Sequence, residues 1–90
     1  MTRGPDPAVS AAEILFVIIR EDDPAYTANE IAEEFDRTRQ WADNRLKSME
    51  EDGLLESKNP GGRARFYWET DNGTELLMER LGDSFNPPDN

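Results

Sequence analysis

Amide and basic side chains recur along one segment of the chain at a spacing that brings them to one side of a helix. Gln40, Asn44 and Lys47 are four and three residues apart, so at about 100° per residue they point in nearly the same direction. Gln and Asn side chains pair bidentately with adenine, and Lys or Arg with guanine, in the major groove of DNA. The alternative is a solvated polar face, which any surface helix shows.

Three further cations surround a Gly-rich turn later in the chain. The sequence NPGG at 59–62 places Pro and Gly where a type II turn needs them, in a loop longer than two residues. The flanking segments 54–58 and 63–69 predict the two strands of a hairpin. Cations near its tip suit phosphate contacts or insertion into a minor groove, although charges also protect an ordinary hairpin edge. These cations are Lys58, Arg63 and Arg65.

Alternation along the second strand predicts which of its side chains face the protein interior. Successive side chains of a strand point to opposite faces. We therefore expect the aromatic residues to pack inward and the cations to point outward. The inward set is Ala64, Phe66 and Trp68, and the outward set is Arg63, Arg65 and Tyr67.

Two capped helices joined by a tight turn precede the hairpin. Thr27 and Glu30 form a capping box, with Tyr26 and Ile31 as a hydrophobic staple, and this helix should end near Phe35. A further helix should then begin at Thr38 as the N-cap, run to about residue 52 and close at Gly53, a left-handed C′ residue. The inward face of this helix should carry Ala42, Leu46 and Met49.

Capping signals also place a helix at each end of the domain. Ser10 and Glu13 open a first helix that runs to about residue 20, and Thr70 caps a last helix that runs to about 81. The complete order predicts a mainly α member of the α+β class. It is a winged helix-turn-helix with a three-helix core, a two-stranded wing and a C-terminal helix. We expect a flexible arm at 1–9, the domain at 10–81 and a flexible tail at 82–90.

The charge of the chain is unevenly distributed. The protein carries −10 overall, yet the segment 37–65 holds seven basic and five acidic residues, which leaves −12 on the rest. This segregation favours one nucleic-acid-binding face on an acidic body. Only two of the ten cations are Lys. An acidic, Lys-poor composition resembles that of proteins from extremely halophilic archaea, and the alternative is an ordinary acidic domain.

Composition also excludes several classes of function. The chain has no Cys and no His, which excludes disulfides, zinc sites built on Cys or His, and His-based catalysis. No paired carboxylates, nucleophile, phosphate loop or metal signature is present, so we expect no enzyme activity and no cofactor. The longest apolar run, at 14–19, is too short for a membrane span. We expect a soluble cytoplasmic protein.

Several of these segments resemble winged helix-turn-helix transcriptional regulators of the MarR-like and ArsR-like kind, especially the small haloarchaeal ones. The matching segments are TANEIA, TRQ, LKSMEEDGLL, GRARFY and TDNGTELL, within about residues 14–81. The resemblance implies binding to double-stranded DNA and regulation of transcription. It places DNA contacts at Thr38, Arg39, Gln40, Trp41, Asn44 and Arg45, and on the wing at Arg63 and Arg65.

Two departures from the family pattern leave alternatives open. Glu69 stands where an apolar residue is usual, and Trp41 is bulky for a groove-facing position, so it either faces DNA or packs against the first helices or a partner. The apolar first and last helices predict a homodimer surface, although a small monomer core explains them equally well. The competing function is a winged-helix module that docks on another protein through Trp41, Tyr67 and its acidic faces, without DNA binding.

Overall fold

Four helices and a two-stranded antiparallel hairpin follow one another in the predicted order. The structure, a computed structural model, describes residues 9–20, 25–62 and 64–85. The elements are α1 (Ala11–Arg20), α2 (Ala28–Phe35), α3 (Arg39–Glu51), β1 (Leu55–Lys58), β2 (Phe66–Glu69) and α4 (Asp71–Phe85). The predicted fold class is confirmed: a mainly helical winged helix.

The tight turn between α2 and α3 is built by side-chain caps. The Thr27 hydroxyl accepts a hydrogen bond from the Glu30 N–H at 3.3 Å, and the Glu30 carboxylate accepts one from the Thr27 N–H at 2.9 Å. Asp36 ends α2 in the left-handed conformation, at φ 56°. Two residues later the Thr38 hydroxyl accepts from the Trp41 N–H at 3.0 Å. These bonds satisfy helix-end groups that would otherwise lack partners, and they fix where α3 starts.

Every helix and both strands contribute to one apolar core. The predicted inward face of α3 is confirmed, because Ala42, Leu46 and Met49 are all buried. Most of the apolar run of α1 is also covered by the domain itself, and Phe16 is the residue of that run that stays exposed, at 43%. Much of the apolar surface that predicted a partner subunit is therefore used within the chain.

The hairpin pairs Leu55 with Glu69, Ser57 with Tyr67 and Lys58 with Phe66. In its connection, residues 59–62 form a tight turn at the place where the sequence predicts a type II turn. The N–H of residue 62 donates to the carbonyl of residue 59 at 3.3 Å. Gly61 has φ 75° and ψ −2°, the conformation that the third position of such a turn requires.

The predicted facing of β2 was wrong. Tyr67 is fully buried and Phe66 is 38% exposed, so the face expected to point outward points into the domain. Three aromatic residues in succession, 66–68, give an apolar side chain to either face, and alternation alone does not select between them. Two contacts select the inward face of β2. Leu55 on the paired strand is buried, and the N–H and carbonyl of Tyr26 exchange hydrogen bonds with those of Tyr67 at 2.9 and 2.8 Å.

The last helix begins where its cap predicts and ends later than expected. The Thr70 hydroxyl accepts from the Gly73 N–H at 3.0 Å and donates to the Gly53 carbonyl at 2.6 Å, which ties α4 to the end of α3. Gly53 itself has φ 82°, as its C′ position predicts. The helix continues to Phe85, beyond the expected end near residue 81, because no proline interrupts it before residue 87. Residues 1–8 and 86–90, where the arm and the rest of the tail were expected, lie outside the described residues.

Candidate nucleic-acid interface

The outer face of α3 presents the polar row that the sequence predicts. Gln40, Asn44 and Lys47 are all exposed, on the side of the helix opposite its buried residues. The ammonium group of Lys47 lies 3.3 Å from the Asp43 carboxylate, one helical turn earlier, in an exposed ion pair. Such pairs contribute little to stability and are readily exchanged, so the ion pair leaves Lys47 available to other anions.

The first residues of α3 have separate roles. The Thr38 hydroxyl is engaged as the N-cap of the helix. The Arg39 side chain is exposed and lines a cleft between α3 and the hairpin. The Thr38 hydroxyl accepts that bond and can still donate its own proton, so both exposed side chains can contact an external ligand.

Trp41 packs within its own domain. Its ring lies 6.1 Å from that of Phe35 in a tilted arrangement, and the Arg37 guanidinium lies 5.1 Å from the centroid of the Trp41 ring. Both geometries are favourable, because the ring face attracts cations and tilted aromatic pairs. The half-buried indole thus joins the end of α2 to the start of α3, which is one of the two placements left open by the sequence.

Arg45 holds the segment before α1 against α3. Its Nη2 donates to the Val9 carbonyl at 2.6 Å, and its Nε is buried with no hydrogen-bond partner among the described residues. The structure therefore separates Arg45 from the exposed row. Sequence reasoning missed this contact because it joins residues 36 positions apart and leaves no periodic signal.

The cleft between α3 and the hairpin brings three predicted cations together. It has a volume of about 420 Å³ and receives Arg39 and Lys47 from α3 and Arg65 from the hairpin. The other lining residues are Thr27, Ala28, Asn29, Asp43, Asn59, Ala64 and Tyr67. Three cations against one carboxylate make the cleft attractive to an anion.

The remaining wing cations are not part of this cluster. Lys58 is exposed and pairs with Phe66 across the hairpin, and it is not among the residues that line the cleft. Arg63 lies outside the described residues. The structure therefore brings Arg65 to α3 and leaves Lys58 apart from the cluster.

A chain of hydrogen bonds links Arg65 to the end of α3. Its Nη1 donates to the Ser57 hydroxyl at 3.0 Å, and that hydroxyl donates to the Glu50 carboxylate at 2.8 Å. Sequence reasoning did not identify Ser57 or Glu50 as part of the site. Their link depends on which face of the hairpin packs against α3, and that facing was predicted wrongly.

The phenol of Tyr67 lies beneath the same region. Its hydroxyl is buried and has no hydrogen-bond partner among the described residues. Burial raises the pKa of Tyr67, the carboxylates of Asp43 and Glu50 raise it further, and Arg65 opposes them. The phenol is therefore neutral at physiological pH and adds no charge to the cleft.

An apolar groove lies between α1 and α4. It has a volume of about 620 Å³. Its lining residues are Ser10, Ala12, Glu13, Phe16, Val17, Phe35, Leu77, Arg80 and Leu81. Over residues 9–20, 25–62 and 64–85, no cluster of His, Cys, Asp and Glu is placed to hold a metal ion. No helix within those ranges is long and apolar enough to cross a membrane.

Solved structures similar to this chain include winged-helix regulators of the MarR family. The Staphylococcus aureus MepR–DNA complex matches with a TM-score of 0.71 at 20% identity, over 80% of this chain and 60% of that one. A mutant of Lactococcus lactis ZitR matches with a TM-score of 0.65 at 19% identity, over 94% and 68% of the two chains. The transcriptional regulator SlyA matches with a TM-score of 0.64 at 18% identity, over 79% and 51%.

The TM-scores establish a shared fold, and at identities of 20% or less the likeness shows the fold alone. The chain spans 54% to 60% of the length of the MepR chains that it matches. No protein-family description matches the sequence, and no curated protein is similar enough to count as a relative.

Proposed function

We propose that this chain is a sequence-specific DNA-binding transcriptional regulator that inserts α3 in the major groove and lays the hairpin on the DNA backbone or in the minor groove. The observation that carries the proposal is the exposed row Gln40, Asn44 and Lys47 beside a cleft that holds three cations. Base-reading amides next to phosphate-binding cations are the combination that specific DNA recognition requires. The shared fold with MepR, which has been solved with DNA, supports it.

The proposal gives different roles to the residues of this face. Gln40 and Asn44 read base edges, and Lys47 contacts a guanine or a phosphate. Two groups of residues contact the backbone: Thr38 and Arg39 at the start of α3, and Lys58, Arg63 and Arg65 on the wing. Trp41 and Arg45 support the face from behind, since one packs on Phe35 and the other bonds Val9.

The competing function, a protein-docking module, receives less support. It would dock through Trp41, Tyr67 and the acidic faces, and two of these three features are not presented as exposed aromatic anchors. Tyr67 is fully buried, and Trp41 is packed between Phe35 and Arg37. The exposed row on α3, by contrast, has no role in that alternative.

Selection of binding sites from random DNA, in concentrated potassium chloride, tests the proposal. An enriched motif is expected for the unmodified protein. Gln40→Ala or Asn44→Ala should relax preference at particular base pairs and cost about 1–3 kcal/mol on the selected site, with little loss on random DNA. Asn72→Ala, which removes an exposed amide on α4, is the matched control. Equal losses on both kinds of DNA would remove the base-reading role, and absence of any motif would contradict the proposed function.

We further propose that a second copy of the chain occupies the apolar groove between α1 and α4. Phe16 is 43% exposed there, and Leu77 and Leu81 line the same groove. A two-fold interface would cover these groups on both copies at once and would present two α3 helices to a pseudo-palindromic site.

Sedimentation equilibrium at tens of micromolar tests the assembly. A dimer is expected for the unmodified chain, and Phe16→Glu should dissociate it because the substitution places a charge in the apolar contact. Phe66→Glu introduces the same change on the wing, at a residue with 38% exposure, and should leave the dimer intact. A monomeric unmodified chain, with no greater affinity for a palindrome than for a half-site, would contradict the dimer.

A further inference from the structure

We infer that Glu50 and Ser57 are positioning residues that hold the Arg65 guanidinium over the cleft, ready to receive a DNA phosphate. The inference rests on the proposed DNA-binding function and adds how the wing is prepared for DNA. Neither residue needs to touch the nucleic acid.

The direction of the hydrogen bonds supports this assignment. The Ser57 hydroxyl has one proton, which it donates to the Glu50 carboxylate at 2.8 Å, and its oxygen accepts from Arg65 at 3.0 Å. The carboxylate thus orients the hydroxyl, and the hydroxyl orients the guanidinium. The Glu50 to Ser57 bond is partly buried, whereas the Ser57 to Arg65 bond is exposed. The anchored end of the chain is therefore at α3 and the open end is at the cleft.

The guanidinium keeps donors for a ligand. Arg carries five N–H donors in a planar fork that matches two oxygens of a phosphate. The bond to Ser57 uses Nη1, and the Arg65 side chain is exposed and lines the cleft together with Arg39 and Lys47. A phosphate entering the cleft meets a fork that is already oriented.

A purely structural role does not explain the arrangement. The two strands are already joined by main-chain pairing, and β1 is anchored by its buried Leu55. The polar chain adds a connection that ends in an exposed cation. Ordering a flexible side chain on binding costs about two- to tenfold in affinity, and this cost is reduced when the side chain is held beforehand.

Matched isosteres at position 57 test the inference. Ser57→Thr keeps the hydroxyl and Ser57→Val removes it with nearly the same shape, and both side chains suit a strand. Dissociation constants for the selected site are measured over a potassium chloride series, in the unmodified background and in Arg65→Ala. Ser57→Val should weaken binding about two- to tenfold in the unmodified background and leave it unchanged in Arg65→Ala. Ser57→Thr should bind like the unmodified protein.

The salt dependence separates positioning from charge. Arg65→Ala should flatten the slope of log K against log salt by about one unit, because one phosphate contact is lost. Ser57→Val should leave the slope unchanged, because the cation is still present. Thermal melting of each variant confirms that it is folded.

Three other results would contradict either the positioning role of Ser57, the phosphate contact of Arg65 or the proposed function. Equal weakening by Ser57→Val in both backgrounds shows that Ser57 is only structural. DNA binding that is insensitive to Arg65→Ala removes the phosphate contact and with it this inference, while the proposed function stands. If the unmodified chain binds no DNA, the proposed function fails and this inference fails with it.

Discussion

At the scale of single residues, Tyr67 is both a core residue and an uncompensated polar group. Its ring is fully buried and its hydroxyl finds no hydrogen-bond partner among the described residues. A buried hydroxyl without a partner costs about 1–3 kcal/mol of folding free energy. The surrounding carboxylates of Asp43 and Glu50 give the phenol a further reason to stay protonated.

Tyr67→Phe should therefore match or exceed the stability of the unmodified protein at neutral pH, by up to about 3 kcal/mol. Urea unfolding at pH 7 measures this difference. A loss greater than about 1 kcal/mol would show that the hydroxyl has a stabilising partner.

The same substitution should change the alkaline limb of the stability profile. Burial raises the pKa of Tyr67 above its ordinary value of 10.0, so the folded state favours the neutral phenol. The stability linked to this group is fully present below about pH 10 and is lost as pH rises through the higher pKa of the folded protein. Unfolding between about pH 9 and 11.5 should show a steeper decline for the unmodified protein than for Tyr67→Phe. Parallel curves would contradict the raised pKa.

Residue types and local spacing predicted the exposed row on α3, since the shared direction of Gln40, Asn44 and Lys47 follows from the helical repeat alone. The same information did not predict the facing of β2 or the bond from Arg45 to Val9. Those depend on contacts between segments that are distant in sequence, and the three aromatic residues at 66–68 fit either face.

At the scale of elements, the start of α4 packs closely against the rest of the domain because it carries a glycine, Gly73. A Cβ at Gly73 would overlap the Leu54 carbonyl oxygen and approach a Leu15 methyl group. The first turn of α4 therefore packs directly on the backbone that leads into β1. Gly82, in the same helix, has open space where its Cβ would be.

These two glycines form a matched pair. Gly73→Ala should destabilise the protein by about 1–3 kcal/mol because α4 must move away from the Leu54 backbone to make room for the methyl group. Gly82→Ala should stabilise it by about 0.5–1 kcal/mol, because Ala has the better helix propensity. Chemical denaturation of both variants measures the difference. Equal effects would contradict the close approach at Gly73.

The helix starts were predictable because capping is local. Thr27 with Glu30, Thr38, and Thr70 each mark a helix start within a few residues of sequence, and each makes the expected bond. The end of α4 was less predictable. The glycine at 82 weakens the helix without ending it, so where α4 ends depends on the turns on either side of that residue.

At the scale of the whole molecule, the acidic charge opposes folding. The chain carries −10, and its Cα radius of gyration is 14.4 Å. The Debye length is about 30 Å at 0.01 M salt and about 3 Å at 1 M. Repulsion among carboxylates therefore extends across the molecule in dilute buffer and only to near neighbours in molar salt.

Salt should consequently raise the melting temperature. Each kcal/mol gained shifts Tm by about 4–8 °C in a domain of this size, so we expect a rise of at least about 5 °C between dilute buffer and molar potassium chloride. Melts recorded by circular dichroism over a salt series measure it. A flat or falling Tm would contradict the repulsion argument and the halophilic interpretation of the composition.

The paired hydrogen bonds between Tyr26 and Tyr67 bear on which DNA sequences the proposed interface would fit. They join the hairpin to the residue that precedes the Thr27 cap of α2, so main-chain hydrogen bonds connect the wing to the helix-turn-helix. If the chain binds DNA as proposed, this connection limits how far the wing can move relative to α3. Sequences that bend or narrow at low energetic cost would then be preferred even where no side chain touches a base.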